Sequence, residues 1–159
     1  MILYHGGNVQ VIQPEVIKSN RSLDFGTAFY MTSDYEQAKK WAKLTSERKK
    51  QGVPTVNEFE FNDTALSEIS VLHFTETSTE WLKLISACRT QHENASEYDL
   101  IIGPVANDRT IDVISLYLIG VYDEYEAIRR LLAFKLTDQY AFKSEKALDY
   151  LKYRRSIYV

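Results

Sequence analysis

The chain of 159 residues has one cysteine, three prolines, six glycines and three histidines. Cys88 alone cannot close an internal disulfide, which fits a reducing, cytoplasmic setting. The prolines are scattered, so no proline-rich linker divides the chain and one domain is expected. Too few glycines fall together to write a G-x-G-x-x-G turn or a Walker loop, which argues against a Rossmann or P-loop nucleotide site. His5, His73 and His92 stand far apart, and a single thiol cannot build a cage, so no metal is expected. No apolar run reaches the roughly eighteen residues of a membrane-spanning helix, and Met1 to His5 lacks the basic patch and apolar stretch of a signal peptide. Asp24-Phe25-Gly26 spells a kinase tripeptide, but neither an H-R-D loop nor a V-A-I-K strand accompanies it.

What remains is an ordinary globular composition, 45% apolar and 26% charged with a net charge of -3. Eleven tyrosines, seven phenylalanines and two tryptophans make it rich in aromatics, and Tyr pairs an apolar face with a hydroxyl. Ile2 to His5 and Phe29 to Thr32 read as strands. Ser33 or Asp34 caps a helix in which Tyr35, Ala38, Trp41, Ala42 and Leu44 recur at helical spacing. Thr55 to Phe61 is a half-buried strand with Val56, Phe59 and Phe61 expected on one face and Glu58 and Glu60 opposite. Val71 to Phe74 is a short strand, Thr79 to Arg89 an amphipathic helix, and Asp99 to Val105 a buried strand. Helices are expected over Asp108 to Leu118 and Asp123 to Phe134, then strands around Tyr140 to Phe142 and over Tyr153 to Val159. The order lacks regular strand–helix alternation, which makes the fold class α+β.

Three segments carry the candidate chemistry: Leu3-Tyr4-His5-Gly6-Gly7, the stretch from Asp24 to Thr32 with the helix behind it, and Asp138 to Leu148. Their order resembles the ADP-ribosyltransferase superfamily, in its diphtheria-toxin and poly(ADP-ribose) polymerase branch. The H-G step after a short apolar strand matches His5-Gly6. An F-G-x-G-(I/F)-Y strand matches Phe25 to Tyr30, with Ala28 in place of the second glycine. The branch's second stacking tyrosine, eleven residues after the first, falls on Trp41. Its N-E-Y-x-(V/I)-Y strand aligns with Asp138-Gln139-Tyr140-Ala141-Phe142-Lys143. The middle of the chain, Tyr98 to Ala106, is similar to a small bacterial family of the same fold, whose members tend to be encoded beside short helical proteins.

The resemblance implies a single-domain ADP-ribosyltransferase fold, a split mixed and antiparallel β core flanked by helices. It implies NAD as co-substrate and transfer of one ADP-ribose to a macromolecule, protein or nucleic acid, by a bacterial toxin with a small helical antitoxin as partner. Tyr30 and Trp41 would sandwich the nicotinamide, Gly6 would offer its backbone to the carboxamide, and His5 would bond an adenosine-ribose hydroxyl. Arg21 is the candidate for the diphosphate. Gln139 stands where the branch has its catalytic glutamate; it keeps the hydrogen bond to the ribose 2′-hydroxyl but not the charge. Removing a preorganised group of that kind typically costs about 2.7–4 kcal/mol of transition-state stabilisation, so chain elongation is not expected. Of the nearby acids, Asp138 points to the other strand face and Glu145 is the better substitute. Two rivals stand beside this reading. RNA 2′-phosphotransferases share the fold, dispense with the glutamate and need added cations such as Arg109 or Lys143. A non-catalytic module would merely bind NAD or ADP-ribose. The strip of Lys39, Lys43 and Lys49 reads as a solvated helix face before it reads as a nucleic-acid guide.

Overall fold

Two sheets meet along the edge of their first strands in the computed structural model, which describes residues 1–18, 23–90, 95–106 and 110–159. The first sheet is antiparallel, in the order β1 (Ile2–Gly7), β3 (Thr55–Phe61), β7 (Leu151–Tyr158). The second is mixed, in the order β2 (Phe29–Met31), β6 (Asp138–Phe142), β5 (Leu100–Pro104), β4 (Val71–His73), with only β4 and β5 parallel. A single bridge, Tyr4 to Thr32, joins the sheets: each residue donates its N–H to the other's carbonyl, at 2.8 and 3.0 Å. Beyond that bridge the strands part.

Period-two alternation sorts the side chains into layers. Leu3, Phe29, Met31, Phe59, Phe61, Leu100, Ile102 and Phe142 fill the space between the sheets. The intervening residues of the second sheet, Ile101 and Ala141, turn outward to meet Trp81, Leu82 and Ile85 of α3 (Thr79–Arg89), Ile114 of α4 (Ile111–Leu118), and Ala127 and Leu131 of α5 (Glu124–Leu131). The outer face of the first sheet carries α1 (Tyr35–Lys49), which buries Ala38 and Ala42 on Val56. The α+β class expected from the sequence is therefore the observed one.

Asp34, one of the two expected caps, accepts from the Gln37 N–H at 2.9 Å and starts α1. Lys50, in a left-handed conformation at φ 51°, ends it. Two four-residue helices, α2 (Ala65–Glu68) and α6 (Glu145–Leu148), have no counterpart among the expected elements, being too short for a 3.6-residue period to register. The expected grouping on β3 needs correction. Val56 lies under α1, while Phe59 and Phe61 face the second sheet. Both faces of this central strand are covered, and even Glu58 is buried beside Arg155, 3.0 Å away.

The contact that seats α1 is made by Gly6. A Cβ there would lie 2.0 Å from the Ala38 carbonyl oxygen and 2.9 Å from the Ala42 nitrogen, both backbone atoms that cannot rotate away. The resemblance reserves this glycine for close approach by a ligand; the space left by its missing side chain is taken by the helix. Gly6→Ala should therefore push α1 off β1 and destabilise the fold by about 1–3 kcal/mol, measured as a lower urea midpoint. An unchanged midpoint would contradict this packing.

Candidate functional site

Where β1 and β2 part, a cavity of about 320 Å³ opens between the strands and α1. One helical stripe supplies a whole wall: Gln37, Lys40, Trp41, Leu44, Thr45 and Arg48, spaced three and four apart, all line it. His5 and Gly6 enter from β1, Tyr30 from β2, Gln139 from β6, and Arg89 from the last turn of α3. Leu23, Asp24, Val105 and Ala106 close the loops. The structure thus brings His5, Gly6, Tyr30, Trp41 and Gln139, taken from widely spaced parts of the sequence, to one cavity. Arg21 and Arg109 lie outside the described residues. The lysines expected to form a strip, Lys39, Lys43 and Lys49, do not line the cavity, whereas Lys40 and Arg48 do.

The backbone of Gly6 is oriented by strand alternation. Tyr4 spends its N–H and C=O on Thr32, at the edge away from β3, and Gly6 lies two residues further along that edge. Its two main-chain groups therefore turn toward the cavity where the sheets diverge. His5, on the alternate face, stacks on Phe29 with ring centroids 4.3 Å apart. Its Nδ1 donates to the Tyr30 carbonyl at 2.8 Å, because that oxygen can only accept. Burial holds the imidazole below its ordinary value of 6.5; the Tyr30 carbonyl opposes this and the charge of Lys49 adds to it. At neutral pH the ring is then uncharged, with Nε2 as an acceptor.

Tyr30 presents its ring to the cavity while its hydroxyl is already engaged. It donates to the Gly26 carbonyl at 2.7 Å and accepts from the Phe25 N–H at 3.0 Å. Burial, and then the nearby charge of Asp24, raise the phenol well above its ordinary value, so it stays neutral. Lys143 holds the same turn through the carbonyls of Phe25 and Thr27 and does not reach the cavity.

Gln139 is 2% exposed. Its Nε2 donates to Asp24 Oδ2 at 2.9 Å and to the Pro104 carbonyl at 3.3 Å. Asp24 is the carboxylate that sequence reasoning misses. Its Oδ1 accepts from Arg89 Nε at 3.0 Å and Nη2 at 2.6 Å, and its Oδ2 also accepts from the Ala106 N–H at 2.9 Å. Glu145, the substitute acid expected under the resemblance, starts α6, is exposed and lines no part of the cavity. Asp138 behaves as expected, turned to the opposite face, where it accepts from Thr32 and Ser33. The sequence offers one signal for Asp24, an acid directly before Phe25-Gly26, a pair on which the resemblance rests, but none for its partners.

Among the described residues no group of three His, Cys, Asp or Glu is arranged to hold a metal ion, and no helix is long and apolar enough to cross a membrane. A family described as "Protein of unknown function (DUF3990)" matches residues 1–153. The chain belongs to that family. No curated protein matches it.

Two outcomes follow from this geometry. Arg89→Met should strand the Asp24 carboxylate and destabilise the protein by about 3–5 kcal/mol, read from denaturant unfolding; a loss under about 1 kcal/mol would mean the pair is not buried as described. The lowered imidazole value gives a pH test. The unfolded chain takes up the proton first, so the His5 contribution is intact above pH 6.5 and is lost as pH falls through the folded value. Between about pH 7 and 5 the wild type should lose stability more steeply than His5→Gln. Parallel curves would show that the imidazole is not held neutral.

Proposed function

We propose that this cavity binds NAD and that the protein transfers a single ADP-ribose to a macromolecular acceptor. The observation that carries the reading is the convergence of His5, Gly6, Tyr30, Trp41 and Gln139 on one cavity. These are the positions that the ADP-ribosyltransferase resemblance matches one by one.

The reaction breaks the bond between the nicotinamide nitrogen and ribose C1′. Nicotinamide leaves with the electron pair as a neutral amide, cationic character grows on the ribose, and the acceptor nucleophile closes on C1′ as it loses its proton. Rings at Tyr30 and Trp41 suit a group that must be gripped without being bonded. The Gly6 main chain offers one donor and one acceptor, the pair a carboxamide requires. Neutral His5 supplies an acceptor nitrogen for a ribose hydroxyl, and Lys40 and Arg48 bring cations to a wall that would face the diphosphate. Gln139 Oε1 accepts from a ribose hydroxyl but contributes a dipole where the branch contributes a charge. Single transfer to a strong nucleophile fits that weaker electrostatic help better than repeated transfer.

Lys40, Arg48 and Arg89 on the lining also favour a second reading, an RNA 2′-phosphotransferase that passes a phosphate from RNA to NAD. Its product from 2′-phosphorylated RNA, an ADP-ribose cyclic phosphate, separates the two. As a toxin the transferase would arrest growth on expression alone, with rescue by a neighbouring gene.

Purified protein given labelled NAD should release nicotinamide. Trp41→Ala should lower that release about tenfold or more, in line with the worth of aromatic stacking. Tyr30→Phe keeps the ring and should keep the release, while losing about 1–3 kcal/mol of stability from the unpaired Phe25 N–H and Gly26 carbonyl. Full turnover in Trp41→Ala would remove the stacking assignment. Absence of both NAD binding and nicotinamide release in the wild type would remove the enzyme reading altogether.

A further inference from the structure

We infer that Asp24 is a positioning residue: its carboxylate fixes the Gln139 amide so that Oε1, not Nε2, faces the cavity as the acceptor for the nicotinamide-ribose hydroxyl. The identity of that hydroxyl rests on the NAD reading; the orientation of the amide does not. A glutamine amide is close to symmetric in shape, and its last torsion is broad and roughly two-fold, so sterics alone do not choose between its two ends. Facing outward with Nε2, position 139 would offer a donor to a group that needs an acceptor.

Two acceptors behind the amide make the choice. Asp24 Oδ2 lies 2.9 Å from Nε2 and the Pro104 carbonyl 3.3 Å from it. Turning the amide over would set Oε1 against a carboxylate and a carbonyl in a place that is 2% exposed, where solvent screens little. The bond to Asp24 is charge-assisted and is the stronger of the two. Asp24 in turn cannot swing away, because Arg89 holds Oδ1 and the Ala106 N–H holds Oδ2. Arg89 therefore acts on the site through Asp24.

The same contact explains why the chain carries glutamine here. A glutamate at this position would bring a second carboxylate to within hydrogen-bonding distance of Asp24, and like charges that close hold a proton between them. The site's negative charge is kept at Asp24, where Arg89 pairs with it, while position 139 keeps only the acceptor.

Two experiments on the full chain decide this. The first measures nicotinamide release by Asp24→Asn, Gln139→Ala and the double variant. Asp24→Asn should lower kcat about tenfold when Gln139 is present and less than about twofold when it is not, because the effect travels through Gln139. Equal losses in both backgrounds would overturn the inference, since a purely structural role would be additive. The second needs no NAD. In Gln139→Glu the new carboxyl should titrate clearly above the ordinary glutamate value of about 4.3, followed by its carbon chemical shift, and the variant should gain stability relative to wild type as pH falls. Titration of that carboxyl at the ordinary value would show that Asp24 does not meet position 139, and would overturn the inference even if Asp24→Asn fails to fold. A wild type that neither binds NAD nor releases nicotinamide removes the ribose hydroxyl and the catalytic half of the inference, while the titration still decides the contact. A wild type that releases nicotinamide, combined with additive variants, overturns the inference alone.

Discussion

Taking a carboxylate out of water is unfavourable by several kcal/mol unless its oxygens are supplied with donors, and Asp24, at 8% exposure, is supplied with four bonds. The donors come from three different parts of the chain. Arg89 ends α3, Ala106 follows β5, and Gln139 lies in β6. The need to satisfy one buried charge therefore ties three elements of the second sheet and its helical layer to the loop before β2. The opposite wall is fixed by a different constraint, the absence of a side chain at Gly6, which lets α1 rest directly on β1. Between a satisfied ion and a close backbone contact, the cavity has two walls whose positions are set independently of anything bound in it.

Those walls differ in character. On the strand side, His5 and Tyr30 are both held neutral, chiefly by burial, and Gln139 carries no charge at all. On the helix side, Lys40 and Arg48 place cations beside Trp41. Under the proposed reading the division matches the ligand: a neutral ring and ribose hydroxyls toward the strands, and phosphates toward the helix. The strand wall would then recognise by shape and hydrogen bonding, the helix wall by charge. It would also leave a cationic ribose to dipoles, to the Arg89-paired carboxylate of Asp24 and to the acceptor's nucleophile, an arrangement that suits the single transfer proposed.

Much of this is legible from residues alone, and the exceptions share a cause. β3 and α3 have the bounds expected for them, because Phe59 and Phe61 alternate with glutamates after the β-branched start at Thr55-Val56 and apolar residues recur every three to four over Thr79 to Arg89. Resemblance alone assembles the set His5, Gly6, Tyr30, Trp41 and Gln139, and the fold brings all five to one cavity. Asp24 escapes a sequence reading, since nothing in its neighbourhood is periodic and its partners are 65, 82 and 115 residues away. Its place before Phe25-Gly26 singles out the residue, but only tertiary structure reveals what it holds together. Proximity along the chain favours Glu145, but the strand and turn after Gln139 carry it past the site to the start of α6. Val56 defeats the alternation pattern for a related reason. A strand covered on both sides has apolar residues of both parities, and a two-letter pattern cannot say which layer each one meets.

The chain has two tryptophans, and they answer one question from opposite positions. Trp41 lines the cavity, whereas Trp81 is fully buried with its Nε1 donating to the Pro104 carbonyl at 3.0 Å. Each gives one indole N–H signal in a proton–nitrogen correlation spectrum. On titration with NAD, the Trp41 signal should shift progressively and saturate, and should move further than that of Trp81, which meets the site only through the Pro104 carbonyl it shares with Gln139. If the Trp41 signal does not move at saturating NAD, the dinucleotide does not enter this cavity and the account is contradicted.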